Sequence, residues 1–475
     1  MSVEGDAGIE IRAVRADSRA VEAGDLFVAL RGTAVDSHQH VPSALARGAR
    51  ALVLEMPVAV PAGVTAVRVT DGRRALAILA ANAFGRPHES LSFLGVTGTN
   101  GKTTTAWLVE GALAAEGSAV ALLGTVGNRI RGRTEAAGMT TPGPLELHAF
   151  LARALAAGCS HVVMEVSSHA LDQQRVHGIP FRAAGFTNLT QDHLDHHGTM
   201  EAYAAAKARL FAEHLAQGTA VLNADGAGVE VMTAAARARE VLRCSARLGT
   251  AEVRARVTRR DLGGQQFTLS TPRGEAACET ALVGAHNIEN LLVAAGLLHA
   301  AGLDTKDIAA GLGSVRGVPG RMERVNVGRG VSAFVDYAHT PDALERVLQL
   351  LRSETQGRLH VVFGCGGDRD PGKRPLMGAI AARLADQVTI TSDNPRSEDP
   401  LRIMEAVVAG VPAAAGDRVQ LEPDRRTAIR LALSACAEGD ALLVAGKGHE
   451  ASQLFGSAST HFDDREELAE AGREA

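Results

Sequence analysis

The sequence predicts an α/β protein built from three consecutive domains, each a sheet covered by helices. Apolar runs of strand length alternate with helical segments along most of the chain, which is the rhythm of parallel sheets with helical crossovers. In the second and third blocks Gly, Asp, His or Arg appears just after the strand ends, so polar loops sit where open α/β sheets bind their ligands, outside the carboxyl ends of the strands. The length of 475 residues suits roughly two to four domains.

In chain order, residues 1–88 hold the short apolar runs "DLFVALRG", "RALVLE" and "AVRVT" between Ala-rich helical stretches, and "GRPHES" reads as a linker. Residues 89–318 carry "LSFLGVTG", "SAVALLG", "HVVMEVSS", "AAGFTNLT" and "TAVLNAD", predicting a central parallel sheet. Residues 319–475 repeat the pattern with "SAFVDYAHT", "RLHVVFGCGG", "QVTITSDNP" and "DALLVAGKG", predicting a Rossmann-like α/β domain. Hydrophobic residues reach 46% but aromatics only 3%, so the cores must be built from Ala, Val, Leu and Ile.

The bulk numbers exclude several classes. A net charge of −5 gives no general affinity for nucleic acid. The five cysteines, at 159, 244, 278, 365 and 436, are widely spaced without a CxxC, as expected of reduced thiols in the cytosol. The first residues, "MSVEGDAGIEIRAVRADSR", lack an apolar core for a signal peptide, and no apolar run reaches the ~18 residues of a membrane span. The expectation is a soluble, cytoplasmic, monomeric enzyme.

"GVTGTNGKTTT", residues 95–105, follows an apolar run and precedes a helix. Glycines there let backbone N–H groups approach phosphate oxygens, and the helix adds its N-terminus. Gly98, Thr99, Asn100, Gly101, Lys102, Thr103 and Thr104 are thus a candidate phosphate cradle, with Lys102 on the β and γ phosphates and the Thr103 hydroxyl on Mg²⁺. Strict Walker A spacing wants Gly at 96, where this chain has Val96, so the loop is a variant form.

"TMEAYAAAKARLFAEH" (199–214) reads as a helix with Tyr203, Lys207, Leu210 and Phe211 on one face. A lysine on an apolar stripe either snorkels to water or is buried, in which case its pKa falls and a neutral amine becomes available. Such an amine can take up CO₂ as a carbamate. Glu165 ends an apolar run, and His193, His196 and His197 cluster with Asp192 and Asp195. Imidazoles invite zinc, but phosphates and oxygen ligands favour Mg²⁺.

The third block adds "GCGGDRDPGKRP", "TSDNPRSEDP" and "AGKGHE", which gather Arg369, Asp393, Asn394, Arg396, Gly446 and Glu450 at strand ends. Arginine forks grip carboxylates and acids grip ammonium groups, a combination suited to a zwitterionic amino acid and superfluous in a simple ATP hydrolase.

"GTNGKTTT" resembles the phosphate loop of the Mur ligase family, which also includes folylpolyglutamate synthases, and the resemblance continues through "YAAAKARLF", "GAHNIEN", "GRMER", "DYAHTPDAL" and "DNPR". It implies a carbamylated Lys207, with Glu165 and His193 as Mg²⁺ ligands beside that carbamate and Thr103 holding the nucleotide's metal. It implies Asn290 on adenine with His286 nearby, Arg321 near the nucleotide, Asp336 on the ribose, and closure of the third domain over the second. "ADSRAVEAGDLFVALRGTAVDSHQH" is similar to the family's uridine-diphosphate-binding domain, so Ser18, Thr33, Ala34 and Val35 are implied nucleotide contacts. "MTTP" and "SSHALDQQRV" imply Thr140, Thr141, Ser167, Gln173 and Arg175 on a muramoyl dipeptide. Asp393, Asn394, Pro395 and Arg396 look like the family's signature for meso-diaminopimelate, joined by Arg369, Gly446 and Glu450.

The activity so implied is an ATP- and Mg²⁺-dependent amide ligase that adds meso-diaminopimelate to the D-glutamate of UDP-N-acetylmuramoyl-L-alanyl-D-glutamate through an acyl phosphate, in peptidoglycan precursor synthesis. L-lysine or L-ornithine remains open as the added amino acid. Folylpolyglutamate synthase and a non-catalytic ATP-binding module are the rival readings.

Overall fold

The computed structural model describes residues 1–32 and 35–474. The chain forms two compact units: one of Met1–Arg256, Leu269–Ala276 and Ile288–Ser314, the other of Val257–Thr268, Ala277–Asn287 and Val315–Ala475.

The first unit contains two separate sheets. The N-terminal one orders its strands Ser2–Glu4, Thr65–Arg68, Ala51–Leu54, Leu26–Val28, Val14–Arg15; the first pair is antiparallel and the others are parallel. The central sheet has Ser92–Thr97 in its middle, flanked by Phe181–Phe186 and His161–Glu165, all parallel. Thr219–Asn223 and Glu240–Ser245 extend it in parallel on one side, and Val120–Leu123 on the other. Two short strands, Asn128–Ile130 and Arg133–Glu135, close that edge antiparallel. The expected strands are all present. Three more, Val253–Asp261, Gly264–Thr271 and Gly274–Thr280, follow Glu240–Ser245 in the sheet order, and their residues are divided between the units.

Small aliphatic residues do fill the core. Around Phe93, Phe181, Phe186 and Phe211 it is made of Leu, Val, Ala, Ile and Met. The chain's one tryptophan, Trp107, lies on the helix Lys102–Ala115 with the Arg129 guanidinium 4.4 Å from its ring centre. Arg129 also pairs with the buried Glu110 at 2.9 Å. All five cysteines are buried thiols, and among the described residues no helix is long and apolar enough to cross a membrane.

His148, on the helix Pro144–Ala156, is 1% exposed, and its ring lies 5.2 Å from that of His88 in the linker. Burial, then the neighbouring His88, holds its pKa down to about 4 from 6.5. The folded value lies below the unfolded one, so the unfolded chain takes the proton first. The stabilisation is complete above about pH 6.5 and is lost as the pH falls towards 4. His148→Gln is expected to remove up to about 3 kcal/mol of this acid sensitivity, measured as a smaller difference between the urea unfolding free energies at pH 7 and pH 4.5. An unchanged difference would rule His148 out as its source.

The second unit has a six-stranded sheet in the order Glu323–Val325, Ser332–Asp336, Ala441–Ala445, Leu359–Phe363, Gln387–Ile390, Val419–Leu421, parallel except for the first pair. A hairpin, Ser452–Phe455 with Ala458–His461, forms a two-stranded sheet of its own.

Candidate functional site

The phosphate loop joins Ser92–Thr97 to the helix Lys102–Ala115. Gly98 and Gly101 have φ of +145° and +85°. A Cβ on Gly98 would lie 1.9 Å from Thr187 Oγ1, and one on Gly101 would lie 2.2 Å from Asn290 Oδ1. Both positions therefore need glycine, and Asn290, on Ala285–Ala301, packs against the loop. Neighbouring segments hold the loop in shape. Thr99 N donates to Asn188 O at 2.8 Å, Asn100 N to Asn188 Oδ1 at 3.0 Å, and Thr187 Oγ1 to Asn100 O at 2.6 Å. Thr99 Oγ1 lies 3.1 Å from the Tyr203 hydroxyl.

Lys102 Nζ donates to Gly98 O at 2.9 Å and Thr99 O at 2.8 Å. Lys207 Nζ donates to the same Gly98 carbonyl at 2.8 Å, so two amines converge on one oxygen. Lys207 lies on the helix Met200–Glu213 with Tyr203, Leu210 and Phe211, all buried, and is 1% exposed. Its ammonium therefore does not snorkel; it sits 4.4 Å above the Tyr203 ring. Burial pulls its pKa well below the ordinary lysine value, and the nearby Lys102 pulls it further. A neutral, nucleophilic amine follows.

Glu165 ends the strand beside the loop strand, and its carboxylate collects donors. Thr103 Oγ1 and Thr125 Oγ1 both donate to Oε2, at 3.1 and 3.0 Å, and Thr125 N donates to Oε1 at 2.9 Å. Thr125 also lies 3.0 Å from Thr140 Oγ1. Because its one proton goes to Glu165, Thr140 is the donor of that pair. Thr141 Oγ1 donates to the Glu165 carbonyl at 2.8 Å and accepts from Ser167 N at 3.1 Å. Arg175 donates to Thr141 O at 2.7 Å and to Gln173 Oε1 at 2.8 Å. Thr140, Thr141, Ser167, Gln173 and Arg175 thus form one connected strip beginning at Glu165. Gln174 Nε2, next to Gln173, donates to Asp71, the N-cap of the helix Gly72–Ala83.

His193 has φ +53° and is 42% exposed at its side chain, with Asp192 3.5 Å from its Nε2. Its ring lies 4.8 Å from His169 and 5.9 Å from Tyr203. Burial lowers its pKa, Asp192 opposes this, and Lys102 and Lys207 add to it. His196 faces Asp172 at 3.1 Å and His197 faces Ser168 at 3.0 Å. Ser18 is buried in the turn Ser18–Ala20 and Val35 is exposed; Thr33 and Ala34 lie outside the described residues.

In the second unit the named residues again fall after strands. Asp336 ends Ser332–Asp336 and accepts from Met322 N at 2.7 Å and Ala338 N at 2.9 Å. Burial raises its pKa, opposed by Arg321, whose guanidinium lies 4.9 Å from the Tyr337 ring. Its oxygens shape the backbone around Arg321. His286 is exposed. Arg369 is exposed, 3.3 Å from Asp368 O. Arg396 has φ +54°; its backbone N donates to Leu454 O at 3.1 Å and its Nη1 to Gly367 O at 2.7 Å. A Cβ on Gly367 would lie 1.8 Å from Pro395 O, and one on Gly446 2.7 Å from Asp393 Oδ2. Asn394 Nδ2 donates to Glu450 Oε2 at 2.8 Å. Asp393, Asn394, Pro395, Arg396, Gly446 and Glu450 are therefore brought together.

Residues 96–298 match the Mur ligase middle domain, 320–448 the Mur ligase glutamate ligase domain, and 10–84 the Mur ligase family catalytic domain. The chain belongs to the Mur ligase family. It is 47% identical to the UDP-N-acetylmuramoyl-L-alanyl-D-glutamate--2,6-diaminopimelate ligase of Geobacillus kaustophilus, over 96% of this chain and 94% of that one. The protein of that name from Synechococcus elongatus is also 47% identical, over 97% and 93%. A solved structure of a ligase so named superposes with TM-score 0.73 at 35% identity, over 98% and 95% of the two chains. A Mycobacterium tuberculosis folylpolyglutamate synthase shares the fold at 22% identity, with TM-score 0.62 over 79% of this chain.

Three residues that the sequence did not single out lie beside the candidate residues. Thr125, in the Gly-Thr pair just after Val120–Leu123, obeys the same strand-end rule as the residues that were found. Lys447, between Gly446 and Gly448, is fully buried, and Tyr337 stacks 5.1 Å from His449.

Proposed function

We propose that this Mur ligase joins meso-diaminopimelate to the D-glutamate γ-carboxylate of UDP-N-acetylmuramoyl-L-alanyl-D-glutamate, using ATP, as a step of peptidoglycan precursor synthesis. The observation that carries the proposal is the 47% identity over nearly the whole chain to ligases named for this reaction, and the grouping of the Asp393–Arg396 loop with Glu450 supports it. On this reading the chain is a cytoplasmic monomer of three domains, 1–88 for the uridine nucleotide, 89–318 for ATP and 319–475 for the amino acid.

The γ-phosphate would sit against the loop N–H groups and Lys102. The acceptor would lie along Thr140, Thr141, Ser167, Gln173 and Arg175, with Ser18 and residues 33–35 toward its uridine end. A carboxylate oxygen attacks the γ-phosphorus as the bond to ADP breaks. The amine then attacks the acyl carbon, loses a proton, and phosphate leaves with one carboxylate oxygen. Preorganised cations stabilise the charge on the transferring group. Asn290, Arg321 and Asp336 are assigned to the nucleoside, and Arg369, Arg396, Gly446 and Glu450 to the amino acid.

The donor set fits Mg²⁺: two threonine hydroxyls converge on one Glu165 oxygen, which is hard-oxygen chemistry. Glu165, His193 and a carbamate on Lys207 would hold one ion, and Thr103 would hold the nucleotide's metal. There the metals would neutralise negative charge between the acceptor and the phosphates. Lys207 becomes an oxygen ligand by attacking CO₂: an N–C bond forms and a proton is released.

Acceptor labelled with oxygen-18 in its terminal carboxylate, incubated with ATP and, in parallel, diaminopimelate, lysine or ornithine, tests the reading. Label should reach the released phosphate, with diaminopimelate preferred. Amide formation without labelled phosphate would refute the acyl phosphate. Preference for lysine or ornithine would refute the assigned amino acid, and phosphate release indifferent to both substrates would refute ligation.

A further inference from the structure

The geometry points to Lys447 as the positioning residue of the diamino-acid site, an inference that rests on the assignment of the Asp393–Arg396 and Gly446–Glu450 loops to that substrate. Lys447 follows Ala441–Ala445, between Gly446 at φ +113° and Gly448 at φ +55°. A Cβ on Gly448 would lie 2.7 Å from Tyr337 Cβ, so the backbone lies flat on its neighbours and the lysine turns inward. Its side chain has no exposed surface.

A buried ammonium must find acceptors, and this one takes them from three segments. It donates to Asn394 Oδ1 at 3.3 Å and to the Ser452 carbonyl, and it lies 3.6 Å from Glu450 Oε2. Burial lowers its pKa, with Asp393 opposing.

The consequence runs through Asn394. Its Oδ1 receives two hydrogen bonds, from Lys447 and from Leu454 N at 3.1 Å. Neither partner can accept, so the amide cannot flip, and Nδ2 must face Glu450 Oε2. Lys447 also tethers the start of the hairpin through Ser452. That hairpin holds Asp393 O through Gln453 Nε2 at 2.9 Å and Arg396 N through Leu454 O. One sealed cation therefore sets the spacing between Glu450, which suits an ammonium, and Arg396, which suits a carboxylate. Lys447 acts on substrate only through these residues.

The test compares the full-length wild type with Lys447→Met and Lys447→Gln in phosphate-release kinetics, with melting temperatures recorded for all three. In the variants KM for diaminopimelate should rise about 10- to 100-fold, the scale of a hydrogen bond to a charged group. KM for ATP and for the nucleotide dipeptide, and kcat, should stay within about 3-fold. A uniform fall in kcat, an unchanged KM for diaminopimelate, or loss of folded protein in both variants would overturn the positioning role. Wild-type protein that releases no phosphate with diaminopimelate would instead refute the proposed reaction, and the two failures are distinguishable.

Discussion

Lys207→Ala is expected to lower kcat by on the order of 10³-fold, the scale of a lost preorganised charge in a transition state. The amine lies under the phosphate loop, bonded to Gly98 O, and burial and Lys102 favour its neutral form. Alanine removes both that contact and the nitrogen that would carry the carbamate. Small carboxylates such as formate or acetate should partly restore the rate by supplying the missing anion, and wild-type protein in ¹³C-bicarbonate should show a carbamate carbon by NMR. Full activity of the alanine variant, or no carbamate signal from active wild type, would remove Lys207 from the mechanism.

Arg396→Ala is expected to raise KM for diaminopimelate by about 10²-fold, roughly 2–3 kcal/mol, while lysine is used no worse than before. The left-handed backbone at Arg396 and its bond to Gly367 O hold a planar fork at the loop that Asn394 and Glu450 also form. Arg396→Lys should not rescue, since a point charge cannot reproduce two parallel hydrogen bonds. Competition kinetics with both amino acids decides: an unaltered preference would take the distal carboxylate away from Arg396.

The parts that were legible in the sequence are those with local causes. Strand-length apolar runs marked strands in each of the three larger sheets, the loops just after such runs held Gly98, Asp393 and Gly446, and Glu165 ended one run; Asp336 came from the resemblance to the Mur ligase family. The stripe on 199–214 drew attention to Lys207, because Tyr203, Leu210 and Phe211 share its face, while its place in the site came from the family resemblance. The illegible parts depend on partners far along the chain. Gly98 O is shared by Lys102, four residues away, and Lys207, 109 residues away. Only the first separation lies within one turn of helix. Lys447 meets Asn394 across 53 residues, so nothing local marks it as buried. The strands Val253–Asp261 to Gly274–Thr280 were missed for another reason. They carry exposed Arg and Glu, and such solvated edges lack the continuous apolar run of a parallel core strand.

The placement of Trp107 has a practical consequence. The chain's one indole lies on the helix that starts at Lys102, held beneath a guanidinium. Its fluorescence emission therefore comes from a single place, the helix leading out of the phosphate cradle, undiluted by other tryptophans. The molecule has its own optical gauge of what happens there, with no dye to attach.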